Sequence, residues 1–471
     1  MQRAMKHRIT LASWFALALM LLATLSVFSA PATAAHLTTC TPVPSAAPGP
    51  IPTEAADCDR MNAFSNLAWQ IFKMIAWPAA GSLTGHPRRG KADTSRGLAD
   101  MRGPRVFETF KADWETFLPS GAVPLPWSKF PNRAAACHNH PKIKPGTLVL
   151  YALAEFGDIG EQAGDKNVTN VLVAQNGKLA RYLVGLDRNE FQLIRKNKLY
   201  KGINLPTKWD HEPGSSTKAR DGTIIVKSAW IELDGLNVDR KTFYKRRALV
   251  QNLDSKNCYE AEVGLVGLHI RYKTPLRPQW VWASFEHDRN VPSQRGAMPE
   301  GGPMAYTFND GRGGLMTDRP PRETIVGSRE FSSHPAPFNV TRLKPISETI
   351  QAVNQRWQAA LGGTVWANYQ LVIVEWPEIG GSPGIDAFNA HIDPPAVTDS
   401  ESNLLNTTME TFLQSQAGPD QQNYTCMGCH NQVWALDYVF AIPLNANQSR
   451  RMAQSSRQRV IDYLRSLITS P

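Results

Sequence analysis

The stretch Val263-Gly-Leu-Val-Gly-Leu-His-Ile-Arg-Tyr272 decides the fold class of this chain. Its leucine, β-branched and aromatic side chains favour a β-strand. Stretches of the same character occupy residues 224–233, 243–253 and 280–285. Few helical segments lie between these stretches, so the crossover helices that a parallel sheet needs are lacking. The sequence therefore predicts an antiparallel sheet or sandwich.

Turn signals extend the predicted sheet toward both ends of the chain. Asn176-Gly177 lies between apolar runs at residues 171–174 and 179–184, and Asn-Gly is the strongest short hairpin signal. Residues 148–156 form a compact apolar run, and residues 369–375 form a strand-like stretch. We expect both to be strands of the same body.

Helical patterns flank the strands. The predicted helices run from Asp57 or Asp59 to residue 76, from about residue 107 to 118, from Asp187 to about residue 200, and from about residue 347 to 361. Asp187 followed by Glu190 has the pattern of a helix cap. The predicted fold class is α+β, with an antiparallel β-rich body and flanking helices.

The first 35 residues have the pattern of an export signal. A basic start precedes an apolar run at residues 9–30, and Ala32 and Ala34 fit a cleavage site near Ala34 or Ala35. The prediction is a signal peptide at residues 1–35 and a periplasmic or otherwise exported protein. An uncleaved N-terminal anchor is the alternative. No other segment is apolar enough to predict an integral membrane span after cleavage.

The pentapeptide Cys426-Met427-Gly428-Cys429-His430 carries the clearest chemical signal. Two cysteines separated by two residues, with a histidine directly after them, have the spacing of covalent haem attachment. The thiols add to the two vinyl groups of the haem, and the histidine then lies under the iron as an axial ligand. A thioredoxin-like pair would follow a strand, whereas this motif follows a polar loop. A structural zinc site would need a second ligand pair nearby, which the sequence lacks.

The motif, together with the export signal, resembles the haem attachment site of c-type cytochromes. The resemblance implies one covalent haem c, thioether bonds at Cys426 and Cys429, and His430 as the proximal iron ligand. In the common small cytochromes c the motif opens the domain, whereas here it lies near the C-terminus. The wider chain, including residues 264–270 and 285–288, resembles a group of exported single-haem proteins of unassigned function.

The pattern divides the chain into four parts. After the signal peptide, residues 36–57 are an extended lead-in rich in Pro, Ala and Thr, and residues 58–395 are the α+β body. Residues 396–471 are predicted to be a small helical haem c segment. Within it, helices are expected at residues 402–416 and 449–467.

The sequence does not decide which residue, if any, is the second axial ligand of the iron. Met409 and Met452 are candidate ligands, and each is also a plausible core side chain. His391 is a weaker candidate, and an open iron face is a further alternative. A thioether ligand would suit electron transfer, whereas an open face would suit a small ligand or peroxide.

Four cysteines remain outside the haem motif, and three pairings are possible among them. We expect Cys40–Cys58 as a local bridge and Cys137–Cys258 as a long-range one. The alternative for Cys137 is a copper or zinc clip with His138 and His140.

Two further histidines have two possible roles. His287 ends a strand-like stretch, and His269 alternates with the residues of another. Each is interpreted either as a core histidine or as an acid/base group near the haem.

Composition limits the partners. The formal net charge is +10, which favours an acidic redox partner or simply reflects a solvated basic face. No run of Lys and Arg and no basic helix interleaved with aromatic residues supports nucleic-acid binding. The predicted function is one-electron transfer through the haem. The alternatives are a haem peroxidase or oxidase and a haem-based ligand sensor.

Overall fold

The computed structural model describes residues 48–50, 52–56, 60–118, 121–135, 137–151, 172–204, 219–252, 255–292, 306–311, 337, 339–376, 405–411, 414, 426, 430 and 436–442. All of them belong to one compact unit. The predicted signal peptide, the Cys40–Cys58 bridge, Cys429, His391, Met452 and the helix expected at residues 449–467 lie outside the described residues.

One eight-stranded sheet dominates the described part of the chain. Its strands are β1 Lys111–Ala112, β2 Leu148–Leu150, β3 Arg181–Leu186, β4 Ile224–Glu232, β5 Lys245–Gln251, β6 Cys258–Thr274, β7 Arg277–His287 and β8 Tyr369–Glu375. The order across the sheet is β1-β3-β4-β6-β5-β2, with β7 also paired to β6 and β8 paired to β7.

The 17-residue strand β6 organises this sheet because it pairs with three other strands. One of its edges pairs with β4, where Lys227 lies opposite His269. The other edge pairs with β5 along its first half and with β7 along its second half, where Arg271 lies opposite Trp282. The sheet therefore branches at the middle of β6.

The α+β class is confirmed, but the sheet is mixed rather than antiparallel. Strand β2 pairs with β5 in parallel, with Leu148 opposite Ala248. The prediction failed here because it looked for a helical crossover between parallel strands. In the structure, β3 and β4 lie between these two strands in sequence and provide the return connection instead.

In the described ranges, four α-helices accompany the sheet. They are α1 Arg60–Ile75, α2 Asp113–Thr116, α3 Arg188–Lys196 and α4 Glu348–Ala360. Helices α1 and α4 pack on one face of the sheet and form its largest apolar core with β7 and β8. Two indole N–H groups join these helices: Trp69 Nε1 donates to Asn354 Oδ1 at 3.0 Å, and Trp357 Nε1 donates to Asn66 Oδ1 at 2.8 Å.

Several predicted elements are confirmed. The helices expected near residues 60–76 and 347–361, and the strand at residues 369–375, match α1, α4 and β8. The Asp187 side chain caps α3 by accepting a hydrogen bond from the Glu190 N–H at 2.9 Å. The turn at Asn176-Gly177 is present, with an isolated bridge between Val173 and Leu179.

One predicted helix is wrong, and another is not helical over the first part that the structure describes. Residues 107–118 do not form one helix, because Lys111 and Ala112 pair with Leu186 and Gly185 of β3 and so interrupt the helical periodicity. Residues 405–410 form a turn, because Thr407 donates from its backbone N–H to Glu286 Oε2 at 3.1 Å instead of to a helix partner.

The predicted Cys137–Cys258 disulfide is confirmed, with the two Cα atoms 4.9 Å apart. The bridge removes the thiol from the proposed copper or zinc clip. His140 Nε2 instead lies 3.2 Å from the Cys258 carbonyl oxygen. Within the described ranges, no group of three or more His, Cys, Asp or Glu side chains could hold a metal ion.

No described helix combines the length and apolar character that crossing a bilayer would require.

The contact between α1 and α4 can be tested by substituting Asn354, whose side-chain amide joins the two helices. Besides accepting from Trp69, its Oδ1 accepts from the Leu371 N–H at 3.0 Å and its Nδ2 donates to the Leu371 carbonyl at 2.8 Å. Asn354→Leu leaves these buried groups unpaired, so we expect the free energy of unfolding in urea to fall by about 3 kcal/mol. Gln355→Leu, on the exposed side of the same helix, should change it by less than about 0.5 kcal/mol. Equal effects of the two substitutions would contradict this role.

Candidate functional site

The sheet face opposite α1 and α4 carries charged side chains. Alternation along β6 puts His269, Arg271 and Lys273 on this face, while Leu268, Ile270 and Tyr272 join the apolar core on the other. The strand register adds neighbours: Lys227 of β4 lies opposite His269, and Trp282 of β7 lies opposite Arg271. One side of the sheet therefore packs against α1 and α4, and the other combines apolar clusters with the polar side chains of β6.

Residues 436–442 are attached to this polar face through Arg271. Its guanidinium donates to the Tyr438 carbonyl at 2.9 Å and to the Asp437 carbonyl at 3.1 Å. The same guanidinium lies over the rings of Trp282 and Trp280, 4.0 and 4.5 Å from their centroids. Trp280 Nε1 also donates to the Asp437 carbonyl at 3.0 Å. The carbonyl groups of this turn are thus held against β6 and β7.

A buried ion pair holds the side chain of the same turn. Lys273 Nζ lies 2.7 Å from both carboxylate oxygens of Asp437, and the two side chains are 1% and 2% exposed. The Ala219 N–H donates to Asp437 Oδ2 at 2.7 Å. A buried carboxylate needs this kind of compensation because desolvation of an unpaired charge is costly.

The turn itself has an uncommon backbone. Asp437 and Tyr438 have φ values of 54° and 63°, in the left-handed region that non-glycine residues rarely adopt. Each such residue costs on the order of 1 kcal/mol or more. The bonds from Arg271 and Lys273 offset this cost, so the Tyr438 carbonyl is held in a defined direction.

That carbonyl orients His430. His430 Nδ1 lies 2.8 Å from the Tyr438 oxygen, and because a carbonyl only accepts, Nδ1 must carry the hydrogen. Burial and the nearby Arg271 guanidinium lower the pKa of His430 well below its usual value. The imidazole is therefore neutral, with the lone pair on Nε2. This is the tautomer and orientation typical of a metal-ligating histidine.

Aromatic rings surround the imidazole. The Trp282 centroid lies 4.6 Å from that of His430, and the Phe440 centroid lies 4.9 Å away. Cys426 is half-buried and packs at the edge of the apolar cluster that contains Trp282. Its backbone N–H donates to Glu375 Oε1 at 3.1 Å. The structure therefore brings Cys426 and His430 to one face of the sheet, beside the same cluster.

Met409 lies in a different apolar cluster and is fully buried there. It packs over Gly267, where a Cβ atom would stand 3.2 Å from Met409 Cε. Gly267 is four residues before Arg271 on β6, whereas the His430 ring packs against Trp282 of β7. No contact among the described residues joins Met409 to His430.

His269 lies between these two positions on β6. Its Nε2 is 3.4 Å from Glu410 Oε2, and Glu410 also accepts from the Asn406 N–H at 3.1 Å. Burial would raise the pKa of Glu410, but the nearby His269 and Lys227 hold it below its usual value. An ionised carboxylate beside an imidazole is a possible proton-transfer pair.

The turn that carries Glu410 is hydrogen-bonded to the same face of the sheet as His269. Glu286 accepts from both the backbone N–H and the hydroxyl of Thr407, at 3.1 and 2.8 Å, and forms a buried ion pair with Arg342. Tyr182 donates its hydroxyl hydrogen to the Thr408 carbonyl at 2.7 Å. Residues 405–411 therefore form a rigid border of the polar face.

His287 has the role of a core histidine. Its ring stacks on Phe243 with centroids 3.8 Å apart, and both ring nitrogens are engaged. Nε2 lies 3.2 Å from the Thr242 carbonyl and Nδ1 accepts from the Arg289 N–H at 3.1 Å. Burial lowers its pKa to about 3, so it is neutral at ordinary pH.

Sequence reasoning named Cys426, His430 and His269 but missed Arg271, Lys273 and Asp437. A signal for the first two is present: polar residues at every second position of β6, on a strand whose alternate residues are apolar. Asp437 carries no such signal, because its role depends on a left-handed turn and on a lysine far away in the sequence.

No known protein family matches this chain, and neither a characterised protein nor a solved structure is significantly similar to it.

The buried pair Lys273–Asp437 predicts a strong stability effect. Asp437→Asn leaves the Lys273 ammonium buried without a carboxylate, so the free energy of unfolding should fall by about 3–5 kcal/mol. Adding Lys273→Met removes the stranded charge and should restore at least half of the loss. Urea titrations of both variants measure this. Asp234→Asn, on an exposed carboxylate, is the control and should change stability by less than about 0.5 kcal/mol. Additive losses in the double variant would contradict the pairing.

Proposed function

We propose that this chain is an exported c-type cytochrome that carries one covalent haem and transfers single electrons. The observation that carries the proposal is the hydrogen bond between His430 Nδ1 and the Tyr438 carbonyl. It occurs in the histidine of a C-x-x-C-H motif and leaves Nε2 as the ligating nitrogen. The described residues offer no hydrogen bond to that Nε2.

The residues at the site fit a haem. Cys426 would form one thioether beside an apolar and aromatic cluster, which suits the porphyrin faces, and Cys429 would form the other. His430 would ligate the iron through Nε2. Lys227, which lies opposite His269 on the same face of the sheet, would face the haem carboxylates as a cationic side chain. When bound, the haem supplies a redox centre that accepts or donates one electron.

The protein's own residues set the environment of that centre. Arg271 and Lys273 hold the Asp437–Tyr438 turn, and the turn holds the His430 imidazole as a neutral ligand. Trp282 and Phe440 restrict the movement of the ring. A rigid proximal ligand suits electron transfer, because little rearrangement accompanies a change of iron charge.

The expected location is outside the cytoplasm, with a C-terminal haem c segment at residues 396–471. The apolar run at residues 9–30 supports export, and the Cys137–Cys258 bridge is compatible with an oxidising compartment. Without Arg3, Lys6 and Arg8 of the predicted signal peptide the formal net charge is 10 − 3 = +7, which favours a redox partner with an acidic docking surface.

A second candidate function is a haem peroxidase. The observation that favours it is the His269–Glu410 pair on the same sheet face as His430. In that case the haem would supply the peroxide chemistry, and His269, beside Glu410, would serve as the proton donor or acceptor.

Haem attachment is tested through the cysteines. In the Cys426→Ser, Cys429→Ser double variant, expressed with a haem c maturation system, haem should be lost from the denatured polypeptide on extraction with acidified acetone. It should stay with the natural chain, because thioether bonds survive unfolding. The control is Cys40→Ser, Cys58→Ser, which should retain haem. Natural protein without covalent haem under these conditions would rule out the proposal.

The second axial position separates the two functions. For the electron carrier we expect a low-spin ferric spectrum with a thioether-to-iron charge-transfer band, which Met409→Leu or Met452→Leu abolishes and Met74→Leu does not. A high-spin ferric form that binds cyanide within seconds would overturn the electron-carrier assignment. Peroxide turnover that falls about 100-fold or more in His269→Gln would then establish the peroxidase.

A further inference from the structure

A second feature of the molecule is the loop at residues 121–127, which has the sequence Gly-Ala-Val-Pro-Leu-Pro-Trp and no charged, amide or hydroxyl side chain. Four of its side chains are exposed: Ala122, Val123, Leu125 and Pro126. The exposed fraction is 57% for Val123 and 43% for Leu125. A single exposed apolar residue is ordinary, whereas four within five positions form an apolar patch of the kind that marks an interaction site.

Contacts at the centre and at the C-terminal end of the loop hold its backbone in place. Arg195 Nε donates to the Pro124 carbonyl at 3.3 Å. The Trp127 ring centroid lies 6.0 Å from that of Phe191 and 5.9 Å from the guanidinium carbon of Arg89. The loop is therefore anchored to the protein while its apolar side chains remain in solvent.

Cationic side chains surround this loop. Arg195 bonds to its centre, and Lys201 lies at its start, where a Cβ atom on Gly121 would stand 3.5 Å from Lys201 Cγ. Arg133 borders the same cavity as Leu125. All three cations are exposed, so their charges are available to a partner that approaches the loop.

Few acidic side chains compensate these charges. Residues 116–154 contain four Lys or Arg and no Asp or Glu, and residues 191–209 contain five Lys or Arg and no Asp or Glu. The exposed carboxylate of Glu260, near Lys144, is already paired with Arg247 at 2.6 Å. As far as the structure describes it, the surface around the loop therefore carries excess positive charge.

Two features favour a lipid bilayer over an acidic protein as the partner. Pro124 and Pro126 have no backbone N–H, so the loop brings fewer unpaired donors into an apolar phase. The half-buried Trp127 ends the loop with the amphipathic ring that is typical of the membrane–water interface. The cations stand beside the apolar residues, where anionic headgroups would meet them.

We propose that the loop at residues 121–127 is a peripheral membrane-binding element that is selective for anionic phospholipids. Val123 and Leu125 enter the interfacial layer of the bilayer, and the three surrounding cations contact the lipid phosphates. Binding of this kind requires no membrane-spanning helix. It is also independent of the proposed haem.

The test is co-sedimentation of the purified full-length protein with lipid vesicles. One set of vesicles mixes phosphatidylglycerol with phosphatidylcholine, and the other contains phosphatidylcholine alone. We expect the partition coefficient to be at least about tenfold larger for the anionic vesicles at low salt, and to fall as sodium chloride is added. Equal partition onto the two kinds of vesicle would overturn the proposal. Binding to neither would also overturn it and would favour an acidic protein as the partner.

A first pair of variants tests the apolar part of the loop. Val123→Ser, Leu125→Ser should weaken partition onto the anionic vesicles about tenfold or more, and should leave folding intact because both side chains are exposed. The control is Leu83→Ser, Leu276→Ser, in which two leucines that are 51% and 54% exposed elsewhere are replaced, and it should bind as the natural protein does. Undiminished binding of the loop variant would show that another segment, such as the apolar run at residues 9–30, holds the protein on the vesicle, and would refute the proposal.

A second pair of variants tests the charges. Arg133→Gln, Lys201→Gln should lower partition onto the anionic vesicles about tenfold, since each cation near an anionic surface contributes about 1 kcal/mol. Arg240→Gln, Lys241→Gln removes the same number of charges from the turn before β5 and should lower it by less than about twofold. Equal losses in the two double variants would mean that net charge alone governs binding, which would contradict a role for this surface.

Discussion

The buried ion pair between Lys273 and Asp437 is the interaction on which the polar face of the sheet depends. It joins the end of the longest strand to a turn more than 160 residues later, and both partners are shielded from water. The turn would be unfavourable on its own, since two successive non-glycine residues take left-handed backbone conformations. Once the pair and the Arg271 bonds form, the Tyr438 carbonyl has a defined direction, and so does the imidazole of His430.

The two faces of β6 explain why one strand can serve two purposes. Its apolar residues complete the core under α1 and α4, on the face of the sheet away from Arg271 and Lys273. Its polar residues are then available to hold segments from the C-terminal part of the chain. Residues 405–411 and 436–442 are held in this way by Glu286, Arg271 and Lys273. Functional side chains are commonly positioned in this way, by supporting contacts from a rigid secondary-structure element.

Local patterns in the sequence were sufficient to predict much of the fold. Helices α1 and α4 and strand β8 follow from apolar periodicity and from clear end signals such as Ser347 and Trp376-Pro377. The parallel pairing of β2 with β5 was not predictable, since nothing local distinguishes a parallel from an antiparallel partner for Leu148–Leu150. Residues 405–410, which lie within the helix expected at 402–416, form a turn because contacts with Glu286 outweigh local propensity. For the site, the haem-attachment spacing of Cys426 and His430 could be recognised in the sequence. The residues that orient His430 could not, because they come from distant strands and turns.

The order of residues along the chain gives the Lys273–Asp437 contact a further consequence. The eight strands that the structure describes all precede Asp437, so they are synthesised before the turn that neutralises Lys273. Until that turn docks, water must solvate the Lys273 ammonium and the Arg271 guanidinium. Docking expels this water and orients His430 in the same event, because one turn makes both sets of contacts. Because the Asp437–Tyr438 turn makes both sets of contacts, a local opening that rehydrates Lys273 also separates the Tyr438 carbonyl from His430.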